Sequence, residues 1–399
     1  MTSPASPDVI VIGAGAAGLF TAIAAGKRGR RVVVVDHAPT AGAKILISGG
    51  GRCNFTNVDA QPSRYLSNNP HFSISALRRY GPRDFLALVE RHGIAWHEKK
   101  LGQLFCDNSA RDILAMLLNE AADSGVELRL DCAVRGVSAA DGGFVVDTAR
   151  GQMTAPRLVV ATGGLSIPKM GATDFAYRLA RQFGLAMVAP RPGLVPFTFT
   201  PQDLARTQGL SGVALDAVVR AGKAAFREAL LITHRGLSGP SILQASSYWQ
   251  PGQPITVDLT PDLDLAEHLK AAKRARPNAE LKTILGDVLP RRFAERLCGE
   301  GGAGEVESRP LRDLSDKALA AVAETLRRWT VTPAGTEGYR TAEVTVGGID
   351  TDELSSKTLE AKRVPGLHFV GEAVDVTGWL GGYNFQWAWS SGWVAGQAV

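Results

Sequence analysis

The sequence predicts an α/β protein built on a parallel sheet, and three observations predict it. Asp8-Val-Ile-Val-Ile-Gly13 is an unbroken apolar run ending in glycine, the pattern of a strand buried on both faces. Ala16 to Arg28 reads as a helix rich in small residues. Arg31-Val-Val-Val-Val-Asp36 is a second buried run, so the three segments make a strand–helix–strand unit with a right-handed crossover. Farther on, Asp112 to Ser124 reads as a helix and Glu127 to Leu130 begins a strand. Arg157 to Ala161 is another buried strand, closed by Thr162-Gly163-Gly164. Near the end the same signature returns, with a strand at Leu367 to Gly371 and a helix from Tyr383 to Gln397.

Between these parts the pattern changes. Pro190, Pro192, Pro196 and Pro201 punctuate a stretch with β-rich pieces, Val213 to Arg220 and Ile255 to Leu259. Helical patterns rich in Ala, Leu and Arg run from Leu265 to Trp329, with a loop expected over Gly299 to Gly304. The expected organisation is a Rossmann-type domain made from residues 1–189 and 336–399. A β-rich and helical substrate or cap domain interrupts it at 190–335.

With 399 residues, 45% hydrophobic and 21% charged, the chain can bury a large cofactor without disulfide or metal staples. The net charge of +5 is mild, and its Lys and Arg residues are scattered apart from short clusters at Lys27–Arg31 and Lys273–Arg276. No aromatic residues interleave with these clusters, so a solvated surface is expected and a nucleic-acid partner is not. Cys53, Cys106, Cys132 and Cys298 form no C-x-x-C pair and no metal-ligand spacing with His, which argues against a dithiol oxidoreductase and against a metal site. Sparse cysteine, a short polar start and no apolar run of membrane-spanning length give a cytoplasmic expectation with no membrane partner.

Gly13-Ala14-Gly15-Ala16-Ala17-Gly18 is a G-x-G-x-x-G that follows a buried strand and opens a helix, the context the motif needs. Gly13 permits the tight turn, Gly15 lets the backbone approach a pyrophosphate, and Gly18 packs helix on strand. The helix N-terminus offers free N–H groups to phosphate. Asp36, with His37 beside it, ends the second strand where an acid grips a ribose 2′-OH and disfavours a 2′-phosphate.

Three further segments point to FAD rather than NAD. Ala43-Lys44 through Gly51-Arg52-Cys53-Asn54 packs three glycines beside Arg and Asn, suiting a loop whose amides meet phosphate or a flavin edge. Thr162-Gly163 closes a strand where the backbone can approach a cofactor closely. Gly371-Glu372 offers an acid for ribityl hydroxyls, and Gly382-Tyr383-Asn384-Phe385 opens the last helix, whose positive end suits an anionic reduced flavin. There is no second G-x-G-x-x-G after a strand. The reductant is therefore either NAD(P)H visiting transiently or the substrate itself, with oxygen reoxidising the flavin.

The series IGAGAAG, GAKILISGGGRCNFTN, THRGLSGP, EVTVGGI and PGLHFVGEAVDVTGWLGGYNFQWAWSSG resembles the BaiN-like, or HI0933-like, bacterial flavoproteins over nearly the whole chain. The resemblance implies a two-dinucleotide-binding-type FAD domain carrying a β-barrel-like and helical insertion, and an NAD(P)/FAD-dependent oxidoreductase. It also implies that the fingerprint glycines, Asp36, Ala43–Lys44, Gly51–Asn54 and the Glu372–Gln386 segment line FAD, and that the backbone of Val134 meets the adenine. Asp36 departs from the family pattern, where Glu is commoner.

Two side chains are candidates for chemistry: Cys53, whose neighbour Arg52 would lower a thiol pKa, and His234 in the THRGLSGP loop, as a proton donor. For Cys53 a packing or flavin-adjacent role is preferred over nucleophilic catalysis, and for His234 a backbone-bonded loop residue competes equally. The expected function is hydride transfer between flavin N5 and a small or medium organic substrate. Two other readings stay open: a flavin-dependent RNA-modifying enzyme or RNA binder, motivated by the basic balance and Lys273–Arg276, and a non-catalytic flavin sensor.

Overall fold

A computed structural model describes residues 6–298 and 307–399, so the loop expected over Gly299–Gly304 lies outside the described residues. The chain divides into two compact units, Met1–Arg191 with Val344–Val399, and Pro192–Glu343.

The first unit is built on a five-stranded parallel sheet. Its order is Leu367–Phe369, Arg157–Val160, Val9–Ile12, Val32–Val35, Glu127–Arg129. The opening strand is central, paired with Val32–Val35 on one side and Arg157–Val160 on the other. A strand flanked on both sides and covered on both faces must be apolar throughout, and Val9, Ile10 and Val11 are fully buried. The helix Ala16–Gly26 follows directly and lies beside the closing helix Tyr383–Ala398. Glycines set that approach. A Cβ on Gly392 would sit 2.7 Å from the Ala17 carbonyl oxygen, and one on Gly396 would sit 2.5 Å from the Ala24 Cβ. On its other side the closing helix carries large aromatics: Trp389 stacks on Phe85 with centroids 4.4 Å apart, and its indole N–H donates to the Phe55 carbonyl at 2.8 Å.

Three smaller pieces complete this unit. Val134–Ala140, Gly143–Thr148 and Gly151–Ala155 form an antiparallel meander. Asn54–Asn57, Gln103–Cys106 and Trp96–Glu98 form a second antiparallel sheet. Met187–Gly193 and Val344–Ile349 pair with each other where the chain leaves and re-enters the unit, and the Gly347 α-carbon faces the Ala189 carbonyl so closely that a Cβ there would lie 2.6 Å away.

The second unit carries a seven-stranded antiparallel sheet, ordered Trp329–Val331, Ile255–Asp258, Ala214–Ala221, Ala224–Ile232, Gly236–Ser238, Phe197–Thr198, Gly335–Thr336. Its two edge strands are joined only by Thr332, Pro333 and Ala334. A flat sheet of this width would hold its edges roughly 29 Å apart, whereas four residue steps reach about 14 Å at most. The sheet therefore curls into a barrel-like form, with helices Pro240–Ser246 and Asp316–Arg327 against it and Leu265–Ala275 packed on the latter. This unit ends at Glu343 rather than at the expected Gly335, because Gly335–Thr336 pairs with Phe197–Thr198 and so belongs to the same sheet.

Candidate functional site

The fingerprint turn gives each glycine a separate physical role. Gly13 has φ +108°, and a Cβ there would lie 2.5 Å from the Ala161 carbonyl oxygen. A Cβ on Gly18 would lie 1.9 Å from the Gly13 oxygen, which fixes how closely the helix follows the strand. Gly15 is different: it has ordinary extended backbone, φ −81°, and no atom within 4 Å of where its Cβ would be. It caps the helix with no side-chain bond, so the first amides are left for an anion.

Asp36 holds that turn. Its Oδ2 accepts from the Ala14 N–H at 2.6 Å and its Oδ1 from the Ala38 N–H at 2.8 Å. His37 is half-exposed, its Nδ1 3.4 Å from the Asp36 carboxylate. The Cys132 N–H donates to the Asp36 carbonyl at 2.8 Å, which brings Val134, at the start of its strand, beside the same turn.

The triple-glycine segment attaches to the fingerprint through the Gly42 N–H, which donates to the Ala14 carbonyl at 2.9 Å. Ala43 and Lys44 open the short helix Ala43–Ile47, and Gly49, Gly50 and Gly51 follow with φ of +57°, +68° and +84°. Gly49 needs its bare α-carbon because a Cβ would strike the Phe105 ring at 2.7 Å. Gly50 and Gly51 face open space, and Arg52 is exposed. The Asn54 carboxamide fits with its oxygen toward the Gly382 N–H at 3.2 Å and its nitrogen toward the Leu104 and Thr56 carbonyls.

Cys53 corrects the expectation of a lowered thiol pKa. It is fully buried with φ +47°, and burial pushes the thiol up to about 12 against the weaker pull of a Ser48 hydrogen bond. A buried protonated thiol is a packing residue, not a nucleophile. His234 lies in the second unit, exposed on a turn that Thr233 holds by accepting from the Gly236 N–H at 3.1 Å.

Lys44 and Glu372 meet across most of the chain. Lys44 Nζ donates to Glu372 Oε2 at 2.9 Å and to Ser166 Oγ at 2.7 Å; Ser166 donates to Glu372 Oε1 at 2.7 Å, and the Thr345 N–H to the same oxygen at 2.9 Å. Burial alone would raise the Glu372 carboxyl, but the Lys44 charge and these donors hold it below the ordinary carboxylate range. Both carboxylate oxygens are thus engaged by protein, and Glu372 acts first as the tie that fixes Lys44. Sequence reasoning missed Ser166 and Thr345. The only signal was that they lie just past Gly164 and inside EVTVGGI.

The closing segment converges on the opening one. Gly371, φ +68°, faces Ala17, where a Cβ would sit 2.9 Å from the Ala17 methyl; its N–H donates to Ser391 Oγ and its carbonyl accepts from Trp387 Nε1, both at 3.0 Å. Gly163, φ +73°, lies opposite Glu372. Gly382, φ +94°, caps the last helix without a side-chain bond and lies against the Thr56 carbonyl. Asn384 braces the turn before the helix, accepting from the Gly378 N–H at 2.8 Å and donating to the Gly378 carbonyl at 2.9 Å. The Tyr383 carbonyl accepts from Tyr65 Oη at 3.0 Å, and Phe385 stacks on Trp389 at 5.6 Å.

The arrangement fits an extended dinucleotide in three ways. The space before Gly15 is open, the Thr162 hydroxyl is buried with no protein partner at the strand end beside Gly13, and both helix N-termini are uncapped. Among the described residues no group of three or more His, Cys, Asp or Glu is placed to hold a metal ion, and no helix is long and apolar enough to cross a membrane.

The family model described as "HI0933-like protein Rossmann domain" matches residues 7–398. The chain is 53% identical over 391 residues to the ribosomal RNA dihydrouridine synthase of Escherichia coli (strain K12), spanning 98% of this chain and 97% of that protein. It is 46% identical to the ribosomal RNA dihydrouridine synthase of Haemophilus influenzae, over 98% of each. It is 28% identical to the 3-dehydro-bile acid delta(4,6)-reductase of Clostridium scindens, again over 98% of each. The first two relatives overturn the expectation of no nucleic-acid partner, since both are named for a ribosomal RNA modification. That expectation rested on scattered cations with no interleaved aromatics, a pattern along the chain that does not report which residues the fold gathers on one surface. By its match along nearly the whole length, this chain belongs to the HI0933-like family and is an FAD-dependent oxidoreductase with a Rossmann-type fold.

Proposed function

We propose that this protein reduces uridine in ribosomal RNA to dihydrouridine. The observation that carries the reading is the 53% identity, along 98% of the chain, with a protein of that name. The chemistry is a two-electron, two-proton saturation of the uracil C5=C6 bond. That bond is conjugated with the C4 carbonyl, so hydride adds at C6, charge moves onto C5 and O4, and a proton is taken up at C5. When bound, FAD supplies the hydride from N5, and NAD(P)H is the proposed source of its electrons.

The residues of the first unit have their roles in holding that cofactor. The Gly13, Gly15, Ala16, Ala17 and Gly18 backbone receives the pyrophosphate at the helix N-terminus. Asp36, His37 and Val134 surround the adenosine end. Ala43, Lys44, Gly51, Arg52, Asn54, Thr162, Gly163, Gly371 and Glu372 line the path toward the flavin, with Cys53 packed beneath. Gly382, Tyr383, Asn384 and Phe385 place the positive end of the closing helix at the ring, where it favours negative charge. A ribosomal RNA substrate also agrees with the expected cytoplasmic location.

The test is direct. Ribosomal RNA lacking dihydrouridine is incubated anaerobically with the purified protein and NADPH or NADH, and nucleosides are quantified by mass spectrometry. Dihydrouridine should appear only with enzyme and reductant together. Its absence, with turnover instead on a panel of conjugated enones, would move the substrate to the small-molecule side represented by the 28% identical bile acid reductase.

A further inference from the structure

Among the described residues only four large hydrophobic side chains are exposed, and two of them, Val58 and Leu101, lie on turns at one end of a small sheet in the first unit. Val58 is 54% exposed and Leu101 60%. Val58 and Leu101 sit on neighbouring turns. The Val58 N–H donates to the Gly102 carbonyl at 2.9 Å, and a Cβ on Gly102 would lie 2.7 Å from the Val58 side chain. Isolated apolar residues on a surface need no explanation, but an exposed pair on adjoining turns does.

The Leu101 backbone adds a second observation. It has φ +59°, a conformation that favours glycine, yet the position carries a bulky side chain pointing into solvent. Two lysines immediately precede it, both exposed. Lys99 also lies over the Phe105 ring, its Nζ 5.1 Å from the centroid. Arg52 is exposed at the opposite end of the strand pairing that carries Phe105. Of the nearby acids, Asp59 is paired with Arg64 at 2.8 Å and Asp107 lies 2.6 Å from His97.

The edge is tied directly to the closing turn. The Asn57 carboxamide nitrogen donates both to the Leu101 carbonyl, at 3.0 Å, and to the Gly381 carbonyl, at 2.9 Å. Gly381 in turn lies against the Gln103 side chain. Whatever Leu101 touches is therefore held in register with Gly382–Phe385.

We infer that the Lys99–Gly102 turn, with Val58, is an RNA-contacting wedge, a proposal that rests on the ribosomal RNA reading above. Lys99 and Lys100 take backbone phosphates, while Leu101 and Val58 fill the gap left in the base stack when the target uridine is extruded. An enzyme acting on a base within structured RNA must take that base out of the stack, and apolar side chains are the usual fillers of the vacated step. Flanking cations then fix the strand on either side of it.

Leu101→Gly is the informative variant, because glycine suits φ +59° and the fold and flavin content should be retained or improved. Dihydrouridine formation is measured on structured ribosomal RNA and on an unstructured oligouridine, with anaerobic flavin reduction by NADPH as control. The expected result is a loss of about tenfold or more in kcat/KM on ribosomal RNA. Oligouridine turnover and flavin reduction should stay within twofold. Lys99→Gln with Lys100→Gln should weaken ribosomal RNA binding and flatten its salt dependence by one to two units of slope, by about one per lost phosphate contact. Equal rates for Leu101→Gly and wild type on ribosomal RNA, or equal losses on both RNAs, would overturn the wedge. A wild-type protein that reduces neither RNA would overturn the uridine reading itself, and the wedge with it.

Discussion

Adding one methyl group at Gly15 and one at Gly18 should give opposite phenotypes, although the two glycines are three residues apart in one motif. At Gly15 the backbone is extended, φ −81° and ψ −171°, and nothing lies within 4 Å of the new atom. The only intrinsic cost of Gly15→Ala is a poorer helix cap, about 0.5–1 kcal/mol. For a chain of this size that lowers Tm by no more than a few degrees. The methyl does occupy the approach to the helix N-terminus, so flavin affinity should fall at least about 100-fold, equivalent to about 2.8 kcal/mol. At Gly18 the methyl would sit 1.9 Å from the Gly13 carbonyl oxygen, a backbone atom that can move only with the strand and turn. Gly18→Ala should therefore cost about 3 kcal/mol of stability or more, at the upper end of overpacking. The assay is a thermal melt of the flavin-stripped proteins beside an FAD titration followed by flavin fluorescence. A Gly15→Ala protein that holds FAD within threefold of wild type would refute the assignment of this turn to the pyrophosphate. A Gly18→Ala protein with wild-type Tm would refute the packing argument.

Other outcomes follow from features away from the turn. Glu120 bonds to Lys27, Arg91 and His92; although burial opposes it, these partners lower its carboxyl from 4.5 to about 2. A depressed carboxyl stabilises the fold above its unfolded pKa and loses that contribution as pH falls through the folded value. Glu120→Gln should thus flatten the decline of Tm between about pH 4.5 and pH 2 while lowering Tm at neutral pH. Cys53, with its thiol pushed up to about 12, should resist alkylation at pH 8 in the native protein and react only on unfolding, as read by peptide mass spectrometry. Cys53→Ala should retain flavin reduction within a fewfold. Gly396→Val places new atoms where a single Cβ already meets Ala24 at 2.5 Å and the Thr21 carbonyl at 2.6 Å. It should destabilise by about 3 kcal/mol and weaken flavin retention, measured by denaturant titration and absorbance.

Local chemistry was legible in the sequence and distant pairing was not. The strand–turn–helix of Val9–Gly26 could be read because each residue's role depends on neighbours within a turn: apolar run, bare α-carbons, small helix face. The ion pair of Lys44 with Glu372 spans 328 positions and could not be read, since nothing near either residue names the other. Cys53 shows a mixed outcome. The packing role preferred for it agrees with its burial, but the lowered thiol pKa expected from Arg52 does not, because Arg52 is exposed while the thiol is sealed in the core. The end of the insertion was misplaced for a similar reason, because Gly335–Thr336 joins its sheet through Phe197–Thr198, far back in the chain. The absence of aromatics among the basic clusters likewise misled about RNA, and the cluster that suggested RNA is itself matched by acids, Lys273 by Asp316 and Arg276 by Asp287.

The paired strands Met187–Gly193 and Val344–Ile349 have an architectural consequence. Because the departing and returning segments run side by side, the Rossmann unit is closed at that seam whatever is spliced between them. A short linker from Arg191 to Val344 should leave a nucleotide-binding core able to fold alone, and a foreign module grafted there should inherit a ready-made redox centre.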